Sequence, residues 1–260
     1  MKREFGAVLR DWRQLRRLSQ LELALAAGVS SRHLSFLESG RAAPSRGMIL
    51  KLANALGMPK GAANEALKLA GFAAAFPVLP AHAPDLAPVR KAISMTLERH
   101  APYPGVAIDL TWNIIDANEA ANALFAPMGP ISNMVELLIA VEATGLIENW
   151  EETAFLSLLR LRAEISHRGG DADLEALAMR LAEHPRLAAA ELGAVDFDQP
   201  VIPTTLNIDG RRLSLFSTIA QFGSVQDVEA SEIRIELMYP ADAATAAFFE
   251  SAESRAVEPK

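Results

Sequence analysis

A chain of 260 residues, half of them hydrophobic, is long enough for two domains with well-filled cores. The absence of cysteine excludes a disulfide framework, a thiolate metal site and a cysteine redox switch, and fits a reducing cytoplasm. The net charge of −7 conceals an asymmetry: residues 1–57 hold ten Lys/Arg against four Asp/Glu (+6), and residues 58–260 hold 15 against 28 (−13), so a basic, phosphate-seeking head precedes an acidic body.

The opening MKREFGAVLRDW is charged and amphipathic, without the apolar core of a secretion signal, and no apolar run is long enough to span a bilayer, so no membrane partner is expected. Phe5, Val8, Leu9, Trp12 and Leu15 recur at helical spacing and predict a first helix over 4–16. Ser19 stands three residues before Glu22, a pairing in which hydroxyl and carboxylate reciprocally satisfy the open amides of a helix start. It predicts a short second helix with Leu21, Ala24 and Leu25 on one face, broken at Gly28. Ser30 caps a third helix whose Leu34 and Leu37 point inward and which Gly40 ends. Ser45 caps a fourth, running through Leu56, and 61–70 form a fifth. Small Ala24 permits a tight helix crossing, Gly28 a left-handed turn, and Leu34 with Leu37 a buried back, which together specify a helix-turn-helix with the front of its third helix open to a major groove.

The segment FAAAFPVLPAHAPDLAP is rich in Ala and Pro and predicts a semi-rigid linker from residue 73, followed by a connecting helix over 89–99 with Val89, Ile93 and Leu97 on one side. The body then reads as mixed α and β. Strands over 106–109 and 112–117 make a hairpin, and helices follow over 119–125, 134–140, 150–167 and 171–183. Three strands come last, near 202–208, 213–220 and 232–239, the first two joined by the turn pair Asp209-Gly210. The expected organisation is a helix-turn-helix domain over 1–72, a linker with a connecting helix over 73–104, and a sheet-containing domain over 105–255.

Residues 5–57 resemble the XRE (lambda/434 repressor-like) helix-turn-helix family, with SQLELALAAGVSSRHLSFLESGRAAPS carrying the likeness and SRHLSFLESGR resembling its MmyB-like regulators. The segments APYPGVAIDLTWNIIDANEAANALF, NWEET and LSLFSTIAQFGSVQDVEASEIRIELMYPADAATAAF resemble the PAS-like ligand-binding domain of those regulators. The resemblance implies an all-α domain of five short helices followed by an α+β PAS-like domain, a five-stranded antiparallel sheet with helices on one face. It also implies double-stranded DNA as a partner, an apolar effector such as a fatty acid with no other cofactor, and a salt bridge between Arg13 and Glu38.

In the head, the resemblance puts Ser31 and Arg32 at base edges. Arg32 suits bidentate contact with guanine or a plain phosphate contact, and His33 suits phosphate or solvent. Ser35 and Phe36 follow one turn on, Phe36 facing a thymine methyl or a neighbouring helix. Ser19, Gln20 and the cap Ser30 stand at helix starts, where amides meet phosphate, and Arg41 and Arg46 flank the loop after the recognition helix as backbone contacts. One short recognition helix gives limited affinity, so a homodimer on a two-fold operator is expected.

In the body, Trp112, Phe125, Trp150, Phe155, Leu159, Phe216 and Phe222 are candidates to line a ligand cavity, each with ordinary core packing as the alternative. Arg162 and Arg234 are the candidate partners of an acid's carboxylate. No phosphate loop, nucleophile elbow or metal-spaced histidine set is evident, so a non-enzymatic, ligand-responsive transcription regulator is the leading expectation. An adaptor whose second domain serves dimerisation or partner docking without a ligand is the alternative.

Overall fold

The computed structural model describes residues 4–189 and 199–257, with side chains through Ser251. One unit comprises Met1–Val78, Ala163–Ala172 and Gln226–Val228, and the other Leu79–Arg162, Asp173–Val225 and Glu229–Lys260.

The first unit holds α1 (Phe5–Leu15), α2 (Gln20–Ala26), α3 (Ser31–Glu38), α4 (Arg46–Ala55) and α5 (Lys60–Leu69). Each expected serine cap forms. The Ser19 hydroxyl accepts from the Glu22 amide at 3.1 Å while the Ser19 amide donates to Glu22 Oε2 at 2.7 Å, and Ser30 and Ser45 accept from His33 and Met48 amides at 3.2 Å. These bonds satisfy amides that the helices themselves leave open. Phe5, Leu9, Trp12, Leu23, Leu34, Leu37, Ile49, Leu52 and Leu67 close one core.

The second helix turns a different face inward from the one expected. Leu23, Ala24 and Ala27 are buried, whereas Leu21 and Leu25 are 59% and 72% exposed. A helix of two turns offers two apolar stripes that share Ala24, and the packing of α3, not the periodicity of α2, selects between them. Gly28 has the expected left-handed backbone, φ +58°. Gly6 carries a second constraint: a Cβ there would meet the carbonyl oxygens of Leu37 and Glu38 at 2.5 and 2.8 Å, so α1 crosses the end of α3 backbone to backbone.

The expected linker does not begin at residue 73. The Asn64 side chain accepts from the amides of Ala75 and Phe76 (2.9 and 3.0 Å) and donates to the Phe76 carbonyl (2.8 Å), while Phe72 and Ala75 pack on the helical core. A single side chain thus ties down the backbone of residues 75 and 76 in a segment whose composition reads as open chain.

In the second unit, α6 (Ala87–Arg99) precedes β1 (Gly105–Ile108), β2 (Ile114–Ala117), α7 (Glu119–Phe125), α8 (Met134–Val141), α9 (Trp150–Arg168), α10 (Ala172–Ala182), α11 (Pro185–Ala189), β3 (Thr204–Ile208), β4 (Arg211–Gln221), β5 (Arg234–Pro240) and α12 (Ala243–Val257). The last six residues of α9 and the start of α10 belong to the first unit. The five strands form one antiparallel sheet in the order β2-β1-β5-β4-β3. Asp209 and Gly210, at φ 50° and 76°, make the tight turn between β3 and β4.

Register places Leu206, Leu213, Leu215 and Met238 on one face, where Leu124 of α7 and Phe248 and Phe249 of α12 join them. The connecting helix α6 lays Ile93 and Leu97 against Ala107 and Ile235, on the other. β2 starts two residues later than expected. Asp109 Oδ1 accepts from the amides of Thr111 and Asn113 (2.8 and 2.9 Å), folding 109–113 into a loop that sets Trp112 at φ +65°. For a bulky side chain that backbone costs about 1–2 kcal/mol.

Candidate nucleic-acid interface and ligand cavity

α3 exposes Ser31 and Arg32 in its first turn and leaves His33, Ser35 and Phe36 half-buried, with Leu34, Leu37 and Glu38 buried behind them. The Arg32 guanidinium carbon lies 5.4 Å from the centroid of the Phe36 ring one turn on, a contact that tethers the arginine along the helix. Arg41 and Arg46 are exposed, Arg41 just past the turn in which its amide donates to the Phe36 carbonyl (2.8 Å) and Arg46 at the start of α4. Ser19 and Ser30 are exposed, their hydroxyls committed to capping.

Gln20 is half-buried, and its Nε2 donates to Glu38 Oε2 at 2.9 Å. The same carboxylate receives Arg13 Nε at 2.6 Å and Nη2 at 2.9 Å, and Arg10 donates to the Glu38 carbonyl at 3.0 Å. Burial acts to raise the Glu38 pKa, but the hydrogen bonds from Arg13 and Gln20 and the charges of Arg13 and Arg10 outweigh it and hold the carboxyl below its ordinary value. The Gln20 carboxamide thus orients α2 against α3, and at this helix start it is Ser19 that stands out to solvent.

In the second unit a cavity of about 360 Å³ lies between the sheet and the helices. Such a volume falls within the range of small-molecule sites. Leu124, Met134, Leu137, Leu138, Leu206 and Leu215 give it an apolar wall. α9 contributes Thr153, Leu156, Ser157 and Arg160, which share one helix face. The start of α9 is fixed to β3: Asn149 accepts from the Thr205 amide (2.8 Å) and donates to the Pro203 carbonyl (2.9 Å). Arg160 Nη1 pairs with Glu236 Oε1 at 2.5 Å, and its guanidinium carbon stands 4.5 Å from the Trp112 ring centroid.

Residues 9–61 match the family model described as Helix-turn-helix, and residues 89–252 match the MmyB-like transcription regulator ligand binding domain. The chain belongs to the MmyB-like family. It is 34% identical over 124 residues to the uncharacterized HTH-type transcriptional regulators of Mycobacterium tuberculosis and Mycobacterium bovis, a stretch covering 43% of this chain and 46% of theirs. The chain thus matches under half the length of these curated relatives.

Of the candidate pocket residues of this MmyB-like domain, Trp112, Phe125 and Phe216 line the cavity. Trp150, Phe155, Leu159, Arg162 and Phe222 do not, and each has a physical reason. Trp150 is fully buried, its Nε1 donating to the Leu138 carbonyl at 2.7 Å to join α8 and α9. Phe155, Leu159 and Arg162 lie two residues on from Thr153, Ser157 and Arg160, which is about 200° around a helix. Accordingly Phe155 is half-buried away from the cavity, and Leu159 and Arg162 are exposed. Phe222 packs with Val89, Ile93 and Ile235 in the cluster that α6 forms. Arg234 is buried and donates to the Asp109 carbonyl at 3.2 Å, standing 5.5 Å from the Trp112 ring without lining the cavity. Among the described residues the cation of the lining is Arg160, which periodicity read from Phe155 passes over. Among the described residues no helix is long and apolar enough to cross a membrane, and no cluster of potential metal ligands is found.

Proposed function

We propose that this MmyB-like chain is a cytoplasmic, sequence-specific DNA-binding transcription regulator whose second domain binds a small apolar, fatty-acid-like ligand and thereby controls DNA binding. The observation that carries the DNA-binding half is the exposed first turn of α3, with Arg32 tethered over Phe36 on a helix whose other side is locked into the core. Ser31 and Arg32 read base edges in the major groove, His33, Ser35 and Phe36 extend the contact, and Arg41, Arg46 and the starts of α2 and α3 at Ser19 and Ser30 meet the phosphates, with Gln20 holding α2 in place through Glu38. The cavity between sheet and helices carries the ligand half. A homodimer on a two-fold operator doubles the small contact that one α3 makes and sets half-sites about one helical turn apart.

Two measurements on the purified full-length protein test this reading. Native mass spectrometry, followed by denaturing extraction, identifies any apolar molecule carried with the protein. DNA affinity is then measured before and after that molecule is removed. A bound apolar molecule whose removal changes the affinity at least about fivefold, the low end of ordinary coupling, is the expected result. Equal DNA affinity with and without ligand would leave the second domain as a dimerisation or docking module.

A further inference from the structure

The polar side of the cavity bears on the chemistry of the ligand's head. Among the described residues its lining holds one cation and one anion, Arg160 and Glu236, and they are paired with each other at 2.5 Å. Their side chains are 24% and 9% exposed. Glu236 sits mid-strand in β5, in register with Val106 of β1 and Ile219 of β4, so its carboxylate is held at the cavity wall by the sheet on both sides. Trp112 stacks on the guanidinium and fixes the other partner. Arg234 stands against the same ring but does not line the cavity. Beside the pair the lining offers the hydroxyls of Thr153, Ser157, Thr204 and Ser217.

We propose that the Arg160–Glu236 pair makes this cavity select chains with a neutral, hydrogen-bonding head, such as an alcohol, an amide or an undissociated acid, and disfavour the carboxylate anion. The inference rests on the ligand-binding reading above and narrows its chemistry. A carboxylate brought to Arg160 meets a guanidinium already paired and lies beside the carboxylate of Glu236, whose side chain is only 9% exposed. A neutral head loses less on leaving water. Ser157 and Thr153 donate within the protein, to the Thr153 carbonyl (2.9 Å) and to Thr204 Oγ1 (3.5 Å), so they offer acceptor oxygens, and the hydroxyls of Thr204 and Ser217 both donate and accept. Glu236 is thereby the specificity-determining residue, and the cavity's apolar wall serves any chain of fitting length.

The test is displacement of the neutral fluorescent probe N-phenyl-1-naphthylamine from the full-length protein at one neutral pH by 1-dodecanol or dodecanamide, each below its solubility limit, or by laurate below its micellar range. Wild type is expected to release the probe to dodecanol and dodecanamide at a concentration about tenfold or more below that needed for laurate, the discrimination equivalent to one pKa unit of charge interaction. Glu236→Gln, which keeps the shape and a hydrogen bond for Arg160, should improve laurate by about tenfold and leave the neutral compounds within about twofold. Adding Arg160→Gln to that variant should remove the gain for laurate alone. The proposal is overturned if laurate matches the alcohol on wild type, or if Glu236→Gln shifts all three compounds alike. No probe binding and no displacement on folded wild type would overturn the ligand-binding reading itself, and this proposal with it.

Discussion

Arg13 of α1 and Glu38 at the end of α3 form a two-point ion pair, Nε to Oε1 at 2.6 Å and Nη2 to Oε2 at 2.9 Å, with the Glu38 side chain only 1% exposed. Gln20 of α2 donates to the same carboxylate, so three helices are registered on one buried charge. Arg13→Ala leaves that charge without its principal partner and is expected to destabilise the first unit by about 3 kcal/mol or more, read from urea unfolding. The pH dependence follows from the lowered Glu38 pKa. Its stabilisation is fully present above the ordinary glutamate value near pH 4.3 and is lost as pH falls through the lower folded value. Unfolding midpoints of wild type and Glu38→Gln should therefore differ most near neutrality and converge in acid. Parallel curves down to about pH 3 would show that the carboxylate's charge contributes nothing.

The crossing of α1 over α3 makes Gly6 more demanding than the turn glycine. Gly6→Ala drives a methyl group into two backbone carbonyls that cannot yield without moving a helix. We expect a loss of about 2 kcal/mol or more, with DNA affinity falling because α3 shifts. Gly28→Ala meets only the flexible end of Lys51, at 3.4 Å, and bears the left-handed backbone penalty of about 1–2 kcal/mol with α3 kept in place. Comparing melting temperature with DNA affinity for the two variants separates the effects.

Arg32 and Arg46 should fail in different ways. Arg32→Ala is expected to relax preference at one base pair per half-site, a loss of about 1–3 kcal/mol confined to the preferred sequence. Arg46→Ala should weaken all sequences alike and lower the slope of log affinity against log salt by about one. Uniform weakening by Arg32→Ala would reassign that residue to the phosphates.

Filling the cavity and damaging the neighbouring core are likewise distinguishable. Ser157→Trp places a large ring inside the cavity wall and is expected to abolish probe binding in a folded protein. Phe222→Ala, in the α6 cluster, should cost about 2 kcal/mol in stability yet leave probe affinity within about twofold.

The head was legible because its signals are local. A serine three residues before the amide it caps and a glycine at φ +58° are written within four or five residues of chain, and Ser19, Ser30, Ser45 and Gly28 act as read. Long-range packing was not legible. The phase of α2 depends on what α3 presents to it, and the phase of α9 on where β3 holds Asn149, so Leu21, Leu25, Phe155, Leu159 and Arg162 look inward by periodicity and lie elsewhere. Gly6 carried a signal, a glycine inside an amphipathic helix, which goes unread unless close backbone approach is considered. Asn64, holding residues 75 and 76 from eleven and twelve positions away, carried none, and the α12 helix lies in a segment whose apolar pattern is mostly alanine.

In the proposed function, α3 is the reader of DNA sequence. The decisive measurement is in vitro selection of duplexes from a randomised library by the full-length protein at near-physiological salt, repeated with Arg32→Ala. Enrichment of one two-fold motif, with half-sites about 34 Å apart and one position per half-site relaxed in the variant, is the predicted result. Recovery of unenriched library with affinity set by salt alone would contradict it.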